Sequence, residues 1–470
     1  MKKIHLALGL SIGLLLSSCS LDTNPSSDLP EDEIISTVAD LQNAVNGIGY
    51  IFTQSEARLT YASEYGIYAD LLTNEFKIAD DYGQSSPIAR YSLTSNDEMV
   101  SSGYRYFYQA LANCNKNLEL SKNFEATAAV KDLWGQLYAW RALIHFDIAR
   151  LYAHIPAAGV VDANAANTGI VLSTAVYDSE YRGSRSTLAE TYRQIIADFT
   201  KAMELMPRDA AKKTGYMNYY AAEALRARAY LYNGQYEEAL ADARDVIANG
   251  GYKLYTRENY AKAWAEEGTT ESIFELLITP THNLQRYSAG YYCDAAGYPE
   301  CAMNEKGDIM KYLLANAGDI RNSVIKQQTI TGDTEQNYYP AKYPGRDGLY
   351  VNNPKIIRLS EVYLIAAEAA LLQPSSDARA AAAYINEIEK NRVENYTEVQ
   401  TITVDDILME YKKELFAENQ IAFAYWRNKK SITSQLDRTV NYDDYRTILP
   451  IPQREIDFCG VDILKQNPGY

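Results

Sequence analysis

From residue 34 onward the apolar positions recur with a helical period. In LWGQLYAWRALIHFDIARLY, Leu137, Trp140, Ile144, Ile148 and Leu151 form one stripe. TLAETYRQIIADFTKAMELMP reads as a second long amphipathic helix, closed by Pro207. Residues 221–250, AAEALRARAYLYNGQYEEALADARDVIANG, place Ala227, Tyr230, Gly234, Tyr236 and Ala239 at the spacing of a tetratricopeptide helix-turn-helix. Gly234 ends the first helix there, and Ala239 lets the second approach closely. Another pair runs from RLSEVYLIAAEAALL to ARAAAAYINEIEKNR around Gln373-Pro374-Ser375, with Leu359, Val362, Tyr363, Ala366 and Ala370 on its buried face. An earlier pair falls at Val38 to Phe52 and Tyr104 to Leu120.

The expectation is a mainly α chain: one domain over 34–470 with helix pairs near 133–206, 219–248 and 358–392. Such pairs bury their apolar faces only by stacking on neighbours. The stretches 78–103, 153–186, 251–357 and 428–460 lack clear periodicity. Loops that long are rarely idle, so they are expected to form a binding face over a helical back.

The first residues change the picture of where the protein resides. Lys2 and Lys3 precede an apolar run from Ile4 to Leu16 and then Ser17-Ser18-Cys19, the pattern of a signal peptide (1–18) closing on a lipobox. The small residues seat the peptidase, and the Cys19 thiol carries the diacylglycerol. A spanning helix would need roughly 20 apolar residues, more than this run offers. Residues 20–33 are polar, acidic and proline-containing, a flexible tether.

Composition adds two constraints. The chain has 40 Tyr against 10 Phe, and phenols suit half-wet clefts as well as helix packing. Its formal net charge is −16, which would become about −18 once Lys2 and Lys3 leave with the signal. So negative a chain does not neutralise phosphates, which argues against nucleic acid and favours neutral or cationic ligands. Cys114, Cys293, Cys301 and Cys459 accompany Cys19; Cys293 and Cys301 are close enough in sequence to staple a loop, and free buried thiols fit equally well. No spacing resembles a zinc site.

Catalytic signatures are missing. There is no GxxxxGK[ST], GxSxG or HExxH. His145, His154 and His282 are the histidines of the mature chain, and His145 sits on an amphipathic helix where a packed imidazole is expected. A glycosidase requires two carboxylates about 5 to 10 Å apart in a cleft, and among 61 acidic residues none singles itself out. A non-enzymatic protein without cofactor or metal is the expectation.

Several of these segments resemble the SusD-like (RagB/SusD) family of nutrient-uptake lipoproteins, over essentially the whole mature chain. RLSEVYLIAAEAA (Arg358 to Ala370) is similar to the family's arginine-leucine-x-glutamate helix. LPIPQREI (Leu449 to Ile456) and QNPGY (Gln466 to Tyr470) are similar to its closing signature, and WGQLYAWRALIHFDIARLYAHIP, with Pro156, to its first repeat helix. In EYKKELFAENQIAFAYWR, Glu410, Glu414, Leu415, Glu418 and Arg427 keep the family pattern, whereas Tyr411, Asn419, Ile421 and Ala424 depart from it. These departures are expected to leave the helix intact and alter its polar contacts. The resemblance implies a tetratricopeptide-like scaffold, held at the outer membrane by its lipid and facing the exterior. It also implies a SusC-like TonB-dependent transporter as partner and a shallow aromatic site for an oligosaccharide, with peptides handled by some relatives.

Sugar recognition asks for aromatic faces with amides, carboxylates or guanidinium groups at their rim. Two loops offer both. DDYGQSSPIARYSLTSND supplies Asp81, Tyr82, Arg90, Tyr91 and Asn96; THNLQRYSAGYYCDAAGYPE supplies Asn283, Arg286, Tyr287, Tyr291, Tyr292 and Tyr298. Their bland alternative is loop packing. Arg358 and Glu361, three apart on a helix, are expected to form a local structural ion pair.

Overall fold

The computed structural model describes residues 34–470. The expected signal peptide, the expected lipidation site Cys19 and the expected tether lie outside the described residues. Local chemistry marks where the helices start. Thr37 opens Val38–Ile51 with Asp40 closing a reciprocal capping box, and the same device recurs at Thr187 with Glu190 for Leu188–Leu205 and at Thr403 with Asp406 for Val404–Leu415.

The helices pack in a row. Val38–Ile51 lies on Glu98–Ser121 and Ala128–Tyr152; Ala128–Tyr152 then packs on Leu188–Leu205, which meets Tyr219–Tyr232. Tyr236–Asn249 follows, then Leu359–Leu372, which also packs on Ala378–Lys390 and Val404–Leu415. The architecture is thus mainly α, a tetratricopeptide-like stack. Ala227 and Ala239 are fully buried, which lets neighbouring backbones approach.

Leu359–Leu372 differs from the one-faced helix the sequence suggested. Leu364, Ile365, Ala367, Glu368 and Ala369 are buried along with Leu359, Val362, Ala366 and Ala370, while Tyr363 is only half-buried. Helices on several sides enclose it, so no solvent face remains. His145 is a core imidazole, as expected. It is fully buried, its Nε2 accepts from Ser173 N at 3.1 Å, and burial followed by the nearby Arg141 pushes its pKa down to about 3.

The proposed pair Arg358–Glu361 does not form. Arg358 sits at the N-cap with extended backbone (φ −134°, ψ 162°), so it precedes the helix and points elsewhere. Its guanidinium bonds Glu271, Glu414 (2.6 Å) and Glu418 (2.7 Å), whereas Glu361 takes both nitrogens of Arg228 at 2.6 and 2.7 Å. Arg392 joins the same buried cluster through Glu271 and Glu414, and Arg321 through Glu414 and Glu410. Charges withdrawn from water survive only with full pairing, so this network specifies which helix faces which.

The segment EYKKELFAENQIAFAYWR is not one helix either. It breaks between Leu415 and Ile421, where Ala417 and Asn419 adopt φ of 59° and 61°. The buried Asp70 carboxyl accepts Ala417 N (3.0 Å) and Asn419 N (2.7 Å), and the Asn419 side chain accepts Ala69 N at 2.9 Å. Those contacts divert the backbone from its helical ladder.

Stretch 251–357 is more ordered than its pattern suggests. It contributes to a four-stranded antiparallel sheet in the order Phe76–Lys77, Ala302–Met303, Gln336–Pro340, Ile325–Thr329. Strands of two to five residues are too short for alternation to register. The four described cysteines are free thiols, with Cys114, Cys293 and Cys301 buried. Among the described residues no helix is long and apolar enough to cross a membrane.

Candidate functional site

The sheet brings the two tyrosine loops together. Phe76 pairs with Met303 and Lys77 with Ala302, and Ala79 N extends the pairing to Pro299 O at 3.0 Å. Tyr82, just after the first strand, therefore arrives beside Tyr298, just before the second. The fully buried carboxylate of Glu300 then gathers the first loop. It accepts from Tyr82 N (2.7 Å), Gln84 N (3.1 Å), Ser85 N, Ser85 Oγ (2.9 Å) and Ser86 N (3.0 Å). A carboxylate brings two acceptor oxygens and no N–H of its own, which suits it to a cluster of donors.

What results is a row of four rings. The centroids of Tyr82 and Tyr298 are 5.0 Å apart, Tyr298 and Tyr291 meet edge to face at 4.9 Å, and Tyr291 lies 5.5 Å from Tyr350 at an angle of 33°. Two glycines permit this closeness. A Cβ on Gly297 would stand 2.0 Å from Tyr291 O, and one on Gly290 would stand 2.6 Å from Leu349 O. The first allows the turn that returns Tyr298 onto Tyr291; the second lets the segment carrying Tyr350 close in.

Polar groups edge the row. Arg286 is exposed, and the neighbouring phenols, Tyr298 foremost and then Tyr291 and Tyr350, hold its guanidinium more basic than usual. Asp81 and Arg90, both exposed, pair with one another, and Asp81 also accepts Gly83 N at 2.9 Å. The nearby Ser86 side chain, the Gly83 N–H and Arg90 keep the Asp81 carboxyl below its usual range.

The remaining candidates lie off the exposed row, although the buried Tyr292 ring backs Tyr298 at 6.2 Å. Tyr91 anchors its loop by donating to Leu72 O at 2.9 Å, with its ring against the core. Tyr292 is wholly buried and donates to Glu64 Oε1 at 2.7 Å. Tyr287 lies under the Arg58 guanidinium, 4.4 Å from its centroid. Asn283 shapes its own turn, donating to Thr279 O and Pro280 O and accepting Gln285 N. Asn96 stands exposed in the turn before Glu98–Ser121.

Sequence reasoning missed Tyr350 and Glu300. Tyr350 is a lone aromatic in RDGLYVNN, with no local signal. Glu300 closes one of the two chosen segments, yet its role depends on a loop more than two hundred residues away.

Comparisons with known proteins bear on this arrangement. A family model described as starch-binding and associating with the outer membrane matches residues 20–231, and a model of the SusD family matches residues 285–470. The SusD-like protein P2 of Formosa agariphila is 23% identical over an alignment of 529 residues that covers 100% of both chains. A SusD superfamily protein from Bacteroides thetaiotaomicron superimposes with a TM-score of 0.83 at 29% identity, over 92% of this chain and 100% of its own. Another from Bacteroides vulgatus gives 0.83 at 28% identity, over 93% and 100%.

Proposed function

The chain is a SusD-like member of the carbohydrate-binding SusD family, and on that premise we propose that it captures an oligosaccharide at the cell surface and delivers it to a SusC-like TonB-dependent transporter. In this reading the lipid on Cys19 holds the protein on the outer face of the outer membrane.

The row Tyr82–Tyr298–Tyr291–Tyr350 with Arg286 at its edge is the observation that carries the proposal. Phenol rings offer apolar faces to the CH side of a pyranose and hydroxyls to its rim, and a guanidinium donates to sugar oxygens. Tyr82 is 49% exposed, so a face is available at the end of the row. The carboxylates around the rings are already committed: Glu300 to the 82–86 backbone, Asp81 to Arg90, Asp294 to Lys326. Binding without turnover suits that arrangement better than acid–base cleavage.

The test is calorimetry on the chain beginning after Cys19, against a glycan panel and a tryptic-peptide panel, with a check for released reducing ends. Saturable glycan binding without cleavage, weakened by Tyr82→Ala and Tyr298→Ala, is the expected result. Heat from peptides alone would replace the glycan by a peptide ligand.

A further inference from the structure

A groove lies along the 279–285 segment that leads into the tyrosine row. It consists of two adjoining hollows that share Tyr50, Thr53 and His282, with free volumes of about 240 and 430 Å³. Ligand sites usually fall at roughly 300–1,000 Å³. In the inner hollow, Trp140, Tyr216 and Leu276 form an apolar floor. At the junction the Tyr50 ring is 50% exposed and meets His282 edge-on at 5.1 Å, so one aromatic face stands open above that floor. Amides border the groove, Asn46 on the inner hollow and Gln54 and Gln285 on the outer, while the buried Gln136 lies below with its amide donating to Asp132.

Charge narrows the choice of ligand. Among the residues lining the two hollows, Glu56 is the only carboxylate, and neither lysine nor arginine appears. In a chain so rich in acidic residues a lining with a single carboxylate and no lysine or arginine suits a neutral polyhydroxyl compound, which needs aromatic faces and two-way hydrogen-bonding amides.

Two segments run from the groove to the tyrosine row. Gln285 lines the outer hollow, and the chain runs on from it through Ala289–Tyr292 to Tyr291 and Tyr298 of the row. Gln54 and Glu56 line the same hollow, and Arg58, two residues on, donates to Gln84 O at 3.1 Å inside the first tyrosine loop. Short segments thus join the two places, and a linear chain crossing the 283–287 turn would meet both.

We propose that the Tyr50–His282 groove is a second saccharide subsite, so that the protein binds a glycan chain several units long across groove and tyrosine row together. This rests on the glycan-capture reading. It predicts that short fragments occupy the tyrosine row alone, and that affinity climbs once a chain is long enough to reach Tyr50.

The experiment uses the chain beginning after Cys19 with size ladders, disaccharide to octasaccharide, of malto-, laminari-, xylo- and manno-oligosaccharides. Wild type, Tyr50→Ala, Gln54→Ala and Tyr82→Ala are titrated with each, and thermal melting confirms that the variants fold. Tyr82→Ala is expected to weaken every length that binds. Tyr50→Ala is expected to leave the shortest binders unchanged and weaken the longest by roughly two- to tenfold, the worth of one aromatic contact, with Gln54→Ala a smaller loss of the same length dependence. If Tyr82→Ala weakens binding while Tyr50→Ala and Gln54→Ala change no length, the groove is not a subsite and the capture reading stands. If wild type binds no oligosaccharide of any length, both fall.

Discussion

Replacing Glu300 by Gln removes the organiser of the tyrosine row without changing its shape. In the native site one carboxylate oxygen accepts Tyr82 N and Gln84 N, and the other accepts Ser85 N, Ser85 Oγ and Ser86 N. A glutamine keeps one acceptor oxygen; flipped one way it frees Tyr82 N and Gln84 N to water, and flipped the other way it turns an NH2 group toward the buried serines. The Ser85 hydroxyl can rotate to accept from it; the backbone N–H groups of Ser85 and Ser86 cannot. Both serines are buried, and an orphaned buried donor costs about 1–3 kcal/mol, so holding the loop in place would cost about 2–6 kcal/mol. Release of residues 82–86 into water is the cheaper alternative, and Tyr82 leaves Tyr298 with it. Hydrogen exchange should therefore accelerate at the amides of Tyr82, Gln84, Ser85 and Ser86, while the amides of Ala128–Tyr152 keep native protection. Glycan affinity should fall at least as far as in Tyr82→Ala. Unchanged exchange in that loop together with unchanged affinity would refute the assignment of Glu300 as the group that positions Tyr82.

Further consequences can be measured on the same protein. Tyr82→Ala should leave thermal stability nearly unchanged, because the ring is half exposed, and should weaken glycan binding by about 0.5–1.5 kcal/mol in calorimetry. Gly297→Ala should separate Tyr298 from Tyr291, since its methyl would overlap Tyr291 O, and lower affinity more than the single tyrosine variant does. Arg358→Ala should lower the unfolding free energy in denaturant titrations by about 3–5 kcal/mol, because Glu271, Glu414 and Glu418 lose a buried partner. Acid should act through the histidines. Burial holds His145 at about 3 and His154 at about 4, so the unfolded chain, with imidazoles near 6.5, takes up protons that the native state refuses. This stabilisation is fully present above pH 6.5 and is lost as the pH falls toward those values. His145→Gln should remove about 2 kcal/mol of the decline between pH 7 and pH 5; an identical decline in variant and wild type would exclude His145 as its source.

Much of the helical frame was legible because its causes are local. A period of 3.6 shows in any window of a dozen residues, and threonine caps such as Thr187 with Glu190 act within one turn. The aromatic loops were legible as compositional anomalies, which is why Tyr82, Tyr291, Tyr298 and Arg286 could be singled out. Their neighbours Tyr292 and Tyr91 carry the same local signal, and only the packing around them turns one toward Glu64 and the other toward Leu72 O.

The sequence by itself thus determined the mainly helical class, the family and the two segments from which a tyrosine site is drawn, since periodicity, signature residues and composition are properties of short stretches. Tertiary structure alone decided the rest. Arg358 ignores Glu361, three positions away, in favour of Glu271 and Glu414, because an N-cap residue with extended backbone leaves the helical face. Tyr350 joins the ring row because Gly290 lets its segment close in, and Tyr82 meets Tyr298 because two strands of two residues pair across more than two hundred positions. Burial and pairing over such separations depend on which surfaces exclude water together, and no local window of sequence contains that information.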